Sequence, residues 1–263
     1  MTEAINAVRA HTPLVQCLTN TVVQQVSANA LLAIGASPAM VSLPGEAGDF
    51  AAVANGVLVN PGTPSAEQFL AIREAVSSAT KAGTPWVLDP VGAGGLKLRS
   101  ALIDDIAHLH PAAIRGNASE IAALAKIGAG ARGVDAQDSV EAVANSAVDL
   151  AGELGTIVAV SGERDFIASA QTQVWLTSGH PMITQVIGTG CALGAITAAY
   201  LGAARIEGID PFAAVVAAHA HTGAAGQLAG ERTSAPGSFH TAWIDGLYEL
   251  GAEDILARVE IAQ

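Results

Sequence analysis

The sequence predicts an α/β fold: a single-domain three-layer α/β/α sandwich over residues 1–263, built on a mostly parallel central sheet. Three observations predict it. Short unbroken apolar runs alternate with amphipathic stretches almost from end to end, the pattern of a parallel sheet covered on both faces. A chain of 263 residues buries a sizeable core without disulfides or structural metal. No repeat, low-complexity tract or linker divides it.

In order, residues 14–19 (LVQCLT) read as a strand and 20–34 as a helix stopped by Gly35. Residues 37–41 form the next strand, 46–54 a helix and 57–60 a strand. The long helix 64–81 ends before Gly83, a common helix terminator. WVLD at 86–89 is a buried strand that Pro90 ends, since proline cannot donate to the ladder. Residues 98–108 are helical and 112–115 a strand, and Asn117 caps a helix over 119–127. A helix at 139–154 leads into the apolar strand 157–161 (IVAVS). Residues 166–169 and 173–176 pair as a hairpin. From Thr189 onward the pattern is helical, with no strong strand.

Composition narrows the function classes. Twelve Lys plus Arg face 24 Asp plus Glu, giving a net charge of −12, which repels nucleic acid and anionic membrane surfaces. Aromatic residues are only 4%, too few for a base-stacking groove. Mean hydropathy is high at +0.42, and residues 182–204 and 211–230 carry no charge. These stretches are rich in Ala, Gly and Thr rather than Leu, Ile and Phe, so they read as buried helices, not membrane spans. Low charge with high Ala content points to an oligomer with large buried contacts. Cys17 and Cys191 form no CxxC or metal pattern, and no signal peptide is visible, so a cytoplasmic location is expected.

In such a sheet, ligands sit beyond the carboxyl ends of the strands. Four turns follow strands there: Asn60-Pro61-Gly62, Asp89-Pro90-Val91-Gly92, Arg115-Gly116-Asn117 and Ser161-Gly162-Glu163. A fifth feature, Gly188-Thr189-Gly190-Cys191, precedes an uncharged helix. Its glycines allow close backbone approach, and a helix start offers free N–H donors to a phosphoryl group. It also reads as a plain loop with Thr189 capping a buried helix. Cys191 at a helix start is expected to have a lowered pKa and to take a proton from a hydroxyl. Its alternative is a small buried hydrophobe. Glu120 of Asn117-Ala118-Ser119-Glu120 reads as a ligand for a divalent cation or as half of a capping box, and the two roles can coexist. Asp89 reads as a metal or water ligand or as a turn residue. Arg115 reads as a phosphate-binding cation or as an ion-pair partner. Met40, at the end of a strand, lines an apolar pocket or fills core.

Together, in this order, several blocks resemble the hydroxyethylthiazole kinase family of the ribokinase-like superfamily. They are PLVQCLTNTVVQQVSANALLAIGASPAM at 13–40, DPVG at 89–92, IRGNASE at 114–120, VSGERDF at 160–166 and IGTGC at 187–191. The resemblance implies phosphoryl transfer from ATP, with Mg2+, to the hydroxyl of 4-methyl-5-(2-hydroxyethyl)thiazole in thiamine biosynthesis or salvage. It implies that Arg115 and Ser161 contact ATP. It implies that Met40, Gly188 and Asn20 contact the thiazole, and that Asp89 and Glu120 lie at Mg2+. Residues 188–191 would form an anion hole, with Cys191 where related sugar kinases place an aspartate base. The family is a ring-shaped homotrimer with its sites between subunits. This chain departs from the family pattern at Gln25 (usually Asn), Arg132 (Lys) and Ser161 (commonly Thr). Two other readings stand beside it: a kinase of another small alcohol such as a hydroxymethylpyrimidine, and a nucleotide- or thiazole-binding protein without turnover.

Overall fold

Alternation along the strands builds the molecule's three layers. A computed structural model describes residues 1–125 and 139–263. Its strands are β1 (Leu14–Leu18), β2 (Ser37–Ala39), β3 (Gly56–Val59), β4 (Trp86–Leu88), β5 (Ala113–Asn117), β6 (Ile157–Ser161), β7 (Arg164–Ala168), β8 (Gln173–Thr177) and β9 (Glu260–Ala262). They form one sheet in the order β2-β1-β3-β4-β5-β6-β7-β8-β9. The pairings from β2 to β6 are parallel and those from β6 to β9 antiparallel. The helices are α1 (Thr2–His11), α2 (Gln24–Ile34), α3 (Ala47–Val53), α4 (Ala66–Ala82), α5 (Lys97–Ala107), α6 (Ala118–Leu124), α7 (Val140–Leu154), α8 (Thr189–Glu207), α9 (Pro211–Arg232), α10 (Pro236–Glu249) and α11 (Ala252–Leu256).

Successive strand residues point to opposite faces. Cys17, Leu58, Val87, Ala113, Ala159 and Ile167 therefore join one core with α1, α2 and α8–α10. Leu18, Val59, Leu88, Ile114, Val160 and Phe166 join the other with α3–α7. The uncharged stretches are α8 and α9, buried along most of their length. Small residues let α8 lie directly on the sheet: a Cβ at Gly56 would stand 2.2 Å from the Ala198 carbonyl oxygen. Among the described residues no helix is long and apolar enough to cross a membrane.

Several expected boundaries move. The helix expected from residue 20 starts at Gln24, because Asn20 sits in a turn with its side chain engaged by distant partners. The strand expected over 37–41 ends at Ala39, leaving Met40 just past it. Arg115, expected at a strand end, lies in the middle of β5. The long helix begins at Ala66, where the Ser65 side chain accepts from the Gln68 amide. β9 is a short addition to the helical pattern read after Thr189, where no strong strand is expected. It is three exposed residues paired with β8, too short to leave a pattern. Helix α1, unforeseen, buries Ala4, Ile5, Ala7 and Val8. Arg132 and the end of the helix expected over 119–127 lie outside the described residues.

Candidate functional site

The carboxyl ends of β1, β3, β4, β5 and β6 converge on the start of α8, and a chain of polar contacts joins them. Asn60, just past β3 and fully buried, is its hub. Its Nδ2 donates to Asp89 Oδ2 at 2.9 Å. Its Oδ1 accepts from Asn20 Nδ2 at 3.3 Å and from the Gly62 amide at 3.1 Å. Asn20 Nδ2 also reaches Cys191 Sγ at 3.4 Å. On the other side, Arg115 Nη1 lies 3.4 Å from Asp89 Oδ2, and Nη2 donates to Ser161 Oγ at 3.0 Å. Asn20, Asp89, Arg115, Ser161 and Cys191, flagged from separate blocks, thus form one continuous network. Asn60, which the sequence marks only as a turn residue, completes it.

Gly188 is the N-cap of α8 and has φ +94°, left-handed backbone that favours glycine. A Cβ there would also crowd Val23 Cγ1 at 3.0 Å. Thr189, Gly190 and Cys191 occupy the first helical turn, where N–H groups have no intrahelical acceptor and carry the positive end of the helix dipole. Thr189 does not cap the helix. Its hydroxyl is directed to the Ile183 and Val186 carbonyls at 3.2 and 3.4 Å, tying the helix start to the preceding 3-10 turn. A Cβ at Gly190 would stand 3.4 Å from Arg115 Nη1, so the guanidinium faces this turn. Gly188, Gly190 and Cys191 are only half-buried, and the helix mouth is open rather than sealed in the core.

The two carboxylates differ. Asp89 is completely buried, and burial pushes its pKa up from an ordinary 3.8 to about 7; the Arg115 guanidinium counters this and the Glu120 charge adds to it. It accepts from the Asn60 and Arg115 side chains rather than from neighbouring amides, and its Oδ1 has no partner. Glu120 is committed to the capping box: its Oε2 accepts from the Asn117 amide at 2.9 Å, while its amide donates to Asn117 Oδ1 at 2.9 Å. Its Oε1 accepts from the Gly92 amide at 3.3 Å.

The Cys191 thiol corrects an expectation. Its pKa is raised, not lowered: burial dominates, the Asp89 charge adds to it, and the amide donors and Arg115 only partly offset them. The helix-start dipole does not overcome desolvation plus a neighbouring carboxylate. Met40 is half-buried and packs against the core just past β2.

Among the described residues no three His, Cys, Asp or Glu side chains gather into a metal site. Mg2+ differs from metals held by dedicated protein cages: it keeps waters and takes one or two carboxylates plus substrate phosphates. The unpartnered, buried Asp89 Oδ1 beside Glu120 fits that mode.

A model of the Hydroxyethylthiazole kinase family matches residues 5–253. The chain is 58% identical over 261 residues to the hydroxyethylthiazole kinase of Corynebacterium glutamicum (strain R), covering 99% of this chain and 97% of that one. Its fold superposes on the solved hydroxyethylthiazole kinase protein of Pyrococcus horikoshii with a TM-score of 0.90, at 32% identity over 99% and 97% of the two chains. A ribokinase-like superfamily protein of Enterococcus faecalis shares the fold alone, with TM-score 0.60 at 13% identity over 94% of each chain. With a ribokinase-like sheet, a polar network at its carboxyl edge and this coverage, the chain belongs to the hydroxyethylthiazole kinase family.

Proposed function

We infer that the protein, acting as one kinase domain, transfers a phosphoryl group from ATP to the hydroxyl of 4-methyl-5-(2-hydroxyethyl)thiazole, serving thiamine biosynthesis or salvage. The observation that carries this reading is the open first turn of α8 facing the Asn20–Asn60–Asp89–Arg115–Ser161 network. Phosphoryl transfer through a loose transition state asks mainly for alignment and charge stabilisation. The Gly188, Thr189, Gly190 and Cys191 turn supplies fixed amide donors for the migrating group. Arg115, held by Asp89 and Ser161, offers its guanidinium to the nucleotide phosphates.

Asn20, Gly188 and Met40 form the thiazole side. Asn20 Nδ2, within reach of both Asn60 and Cys191, holds the acceptor end in register with the helix mouth. Asp89 and Glu120 would hold Mg2+, which would supply neutralising charge at the phosphates. With its thiol pKa raised, Cys191 keeps its own proton at pH 7 and is a weak base; the alcohol proton leaves late, when the oxygen has already become acidic by bonding to phosphorus, and passes to a phosphoryl oxygen or to water.

Val22 and Ile187 flank Asn20 and Gly188 and are 58% and 68% exposed. This apolar rim supports a homotrimer in which a neighbouring subunit covers the site. Cys17 and Cys191 are both free, in keeping with a reducing cytoplasmic compartment. The deciding experiment is ADP release with ATP, Mg2+ and hydroxyethylthiazole, compared with a hydroxymethylpyrimidine acceptor. Thiazole-dependent ADP release is expected; nucleotide binding without turnover, or turnover only with the pyrimidine, overturns the reading.

A further inference from the structure

A second polar pair lies one turn away from the nucleotide side of the site. His219, in the middle of the apolar helix α9, has no exposed side-chain surface, and its Nδ1 stands 2.6 Å from Asp165 Oδ2. The carboxylate only accepts, so Nδ1 donates. The other oxygen, Asp165 Oδ1, accepts from the Gly162 amide at 3.0 Å. Gly162 directly follows Ser161, whose hydroxyl accepts from Arg115. Burying an imidazole with Nε2 unpartnered costs free energy that an apolar residue in α9 would not.

The Ser161-Gly162-Glu163 turn is otherwise thinly supported, because Gly162 and Glu163 are exposed. It is pinched from two sides. A Cβ on Gly162 would meet Val140 Cγ2 at 2.4 Å, so the start of α7 presses on one face of the turn. The Asp165–His219 pair holds its amide from the other. Helix α9 packs along α8 and also touches β6 and β7, so His219 ties this turn to the same helical layer that presents the first turn of α8.

We propose that Asp165 and His219 are positioning residues for the nucleotide: by fixing the Gly162 amide they set Ser161 Oγ, and through it the Arg115 guanidinium, relative to the α8 mouth. This rests on the phosphotransfer reading above. The test uses the full-length protein and measures ADP affinity by calorimetry, KM for ATP and for hydroxyethylthiazole, and thermal melting. The variants are His219→Leu, His219→Asn and Asp165→Ala. Asparagine can place an amide N–H where Nδ1 donates; leucine fills the space without a donor.

His219→Leu and Asp165→Ala are each expected to weaken ADP binding and raise the ATP KM about tenfold, the scale of one lost hydrogen bond to a charged group. The thiazole KM should stay within about twofold, and His219→Asn should recover most of the nucleotide affinity. Unchanged ADP affinity in folded Asp165→Ala overturns the proposal. So does a loss in His219→Leu that asparagine does not restore, or one that weakens thiazole and nucleotide equally. ADP binding is read without an acceptor, so a wild-type protein that binds ADP but does not phosphorylate the thiazole overturns only the substrate reading.

Discussion

Asp89→Asn separates what the buried carboxylate costs from what it does. Asp89 titrates near 3.8 in an unfolded chain and at about 7 in the fold, because burial outweighs the help of Arg115 and Asn60. Below about pH 4 both states hold the proton and the difference contributes nothing. Between about pH 4 and 7 the unfolded chain releases its proton while the folded protein retains it, so stability falls as pH rises. Above about 7 the loss is complete, and the gap amounts to about 4 kcal/mol. Asparagine mimics the protonated side chain and can still accept from Asn60 and Arg115, so the variant lacks this loss. In a protein of this size 1 kcal/mol moves the melting temperature by roughly 2–4 °C. Melting curves without Mg2+ or nucleotide should therefore show Asp89→Asn gaining about 10 °C on the wild type between pH 4.5 and 8, with turnover severely reduced. A melting difference that does not change with pH would refute the reasoning, since Asp89 would then ionise as easily folded as unfolded.

Other outcomes follow from the same geometry. Cys191→Ala should retain some ADP release and Cys191→Asp should stay active; loss of turnover in folded Cys191→Asp would show that the residue is not at the acceptor hydroxyl. With its pKa raised, the Cys191 thiol should alkylate slowly at pH 7 and faster as pH rises; rapid labelling at pH 7 would mean a stabilised thiolate. Glu120→Gln keeps an oxygen for the Asn117 amide, so it should raise the Mg2+ requirement about tenfold with little change in melting. Glu120→Ala should also lose about 1 kcal/mol of cap stability; an unchanged Mg2+ requirement in both variants would leave Glu120 only its cap. Gly188→Ala forces a side chain into φ +94° and should cost about 1–2 kcal/mol. Gly190→Ala, 3.4 Å from Arg115 Nη1, should raise the ATP KM with melting nearly unchanged. Equal melting losses in the two glycine variants would contradict this placement.

Much of the fold was legible because parallel strands buried on both faces leave unbroken apolar runs, as in GVLV of β3 and IVAVS of β6. The capping box at Asn117 and Glu120 was legible because it is local, three residues apart. The hub role of Asn60 was not: its partners Asn20 and Asp89 are 40 and 29 positions away, and a polar residue before Pro-Gly reads as a turn. The direction of the Cys191 shift was hidden for a related reason. A helix start is visible in sequence, whereas burial and the charge of Asp89, about a hundred positions away, depend on packing. Asp165–His219 was not legible because His219 and His221, two residues apart on α9, point to different faces and carry no ligand spacing, and the partner of His219 comes into place only when β7 is laid against α9. Edge strand β9 depends on β8 alone for its pairing.

A crystal of the protein with a non-hydrolysable ATP analogue, Mg2+ and hydroxyethylthiazole would show directly where transfer occurs. The terminal phosphate is expected within hydrogen-bond distance of the Thr189, Gly190 or Cys191 amides, with the thiazole hydroxyl in line behind it near Asn20. A terminal phosphate bound away from the start of α8, or a hydroxyl on the wrong side of it, would contradict that placement.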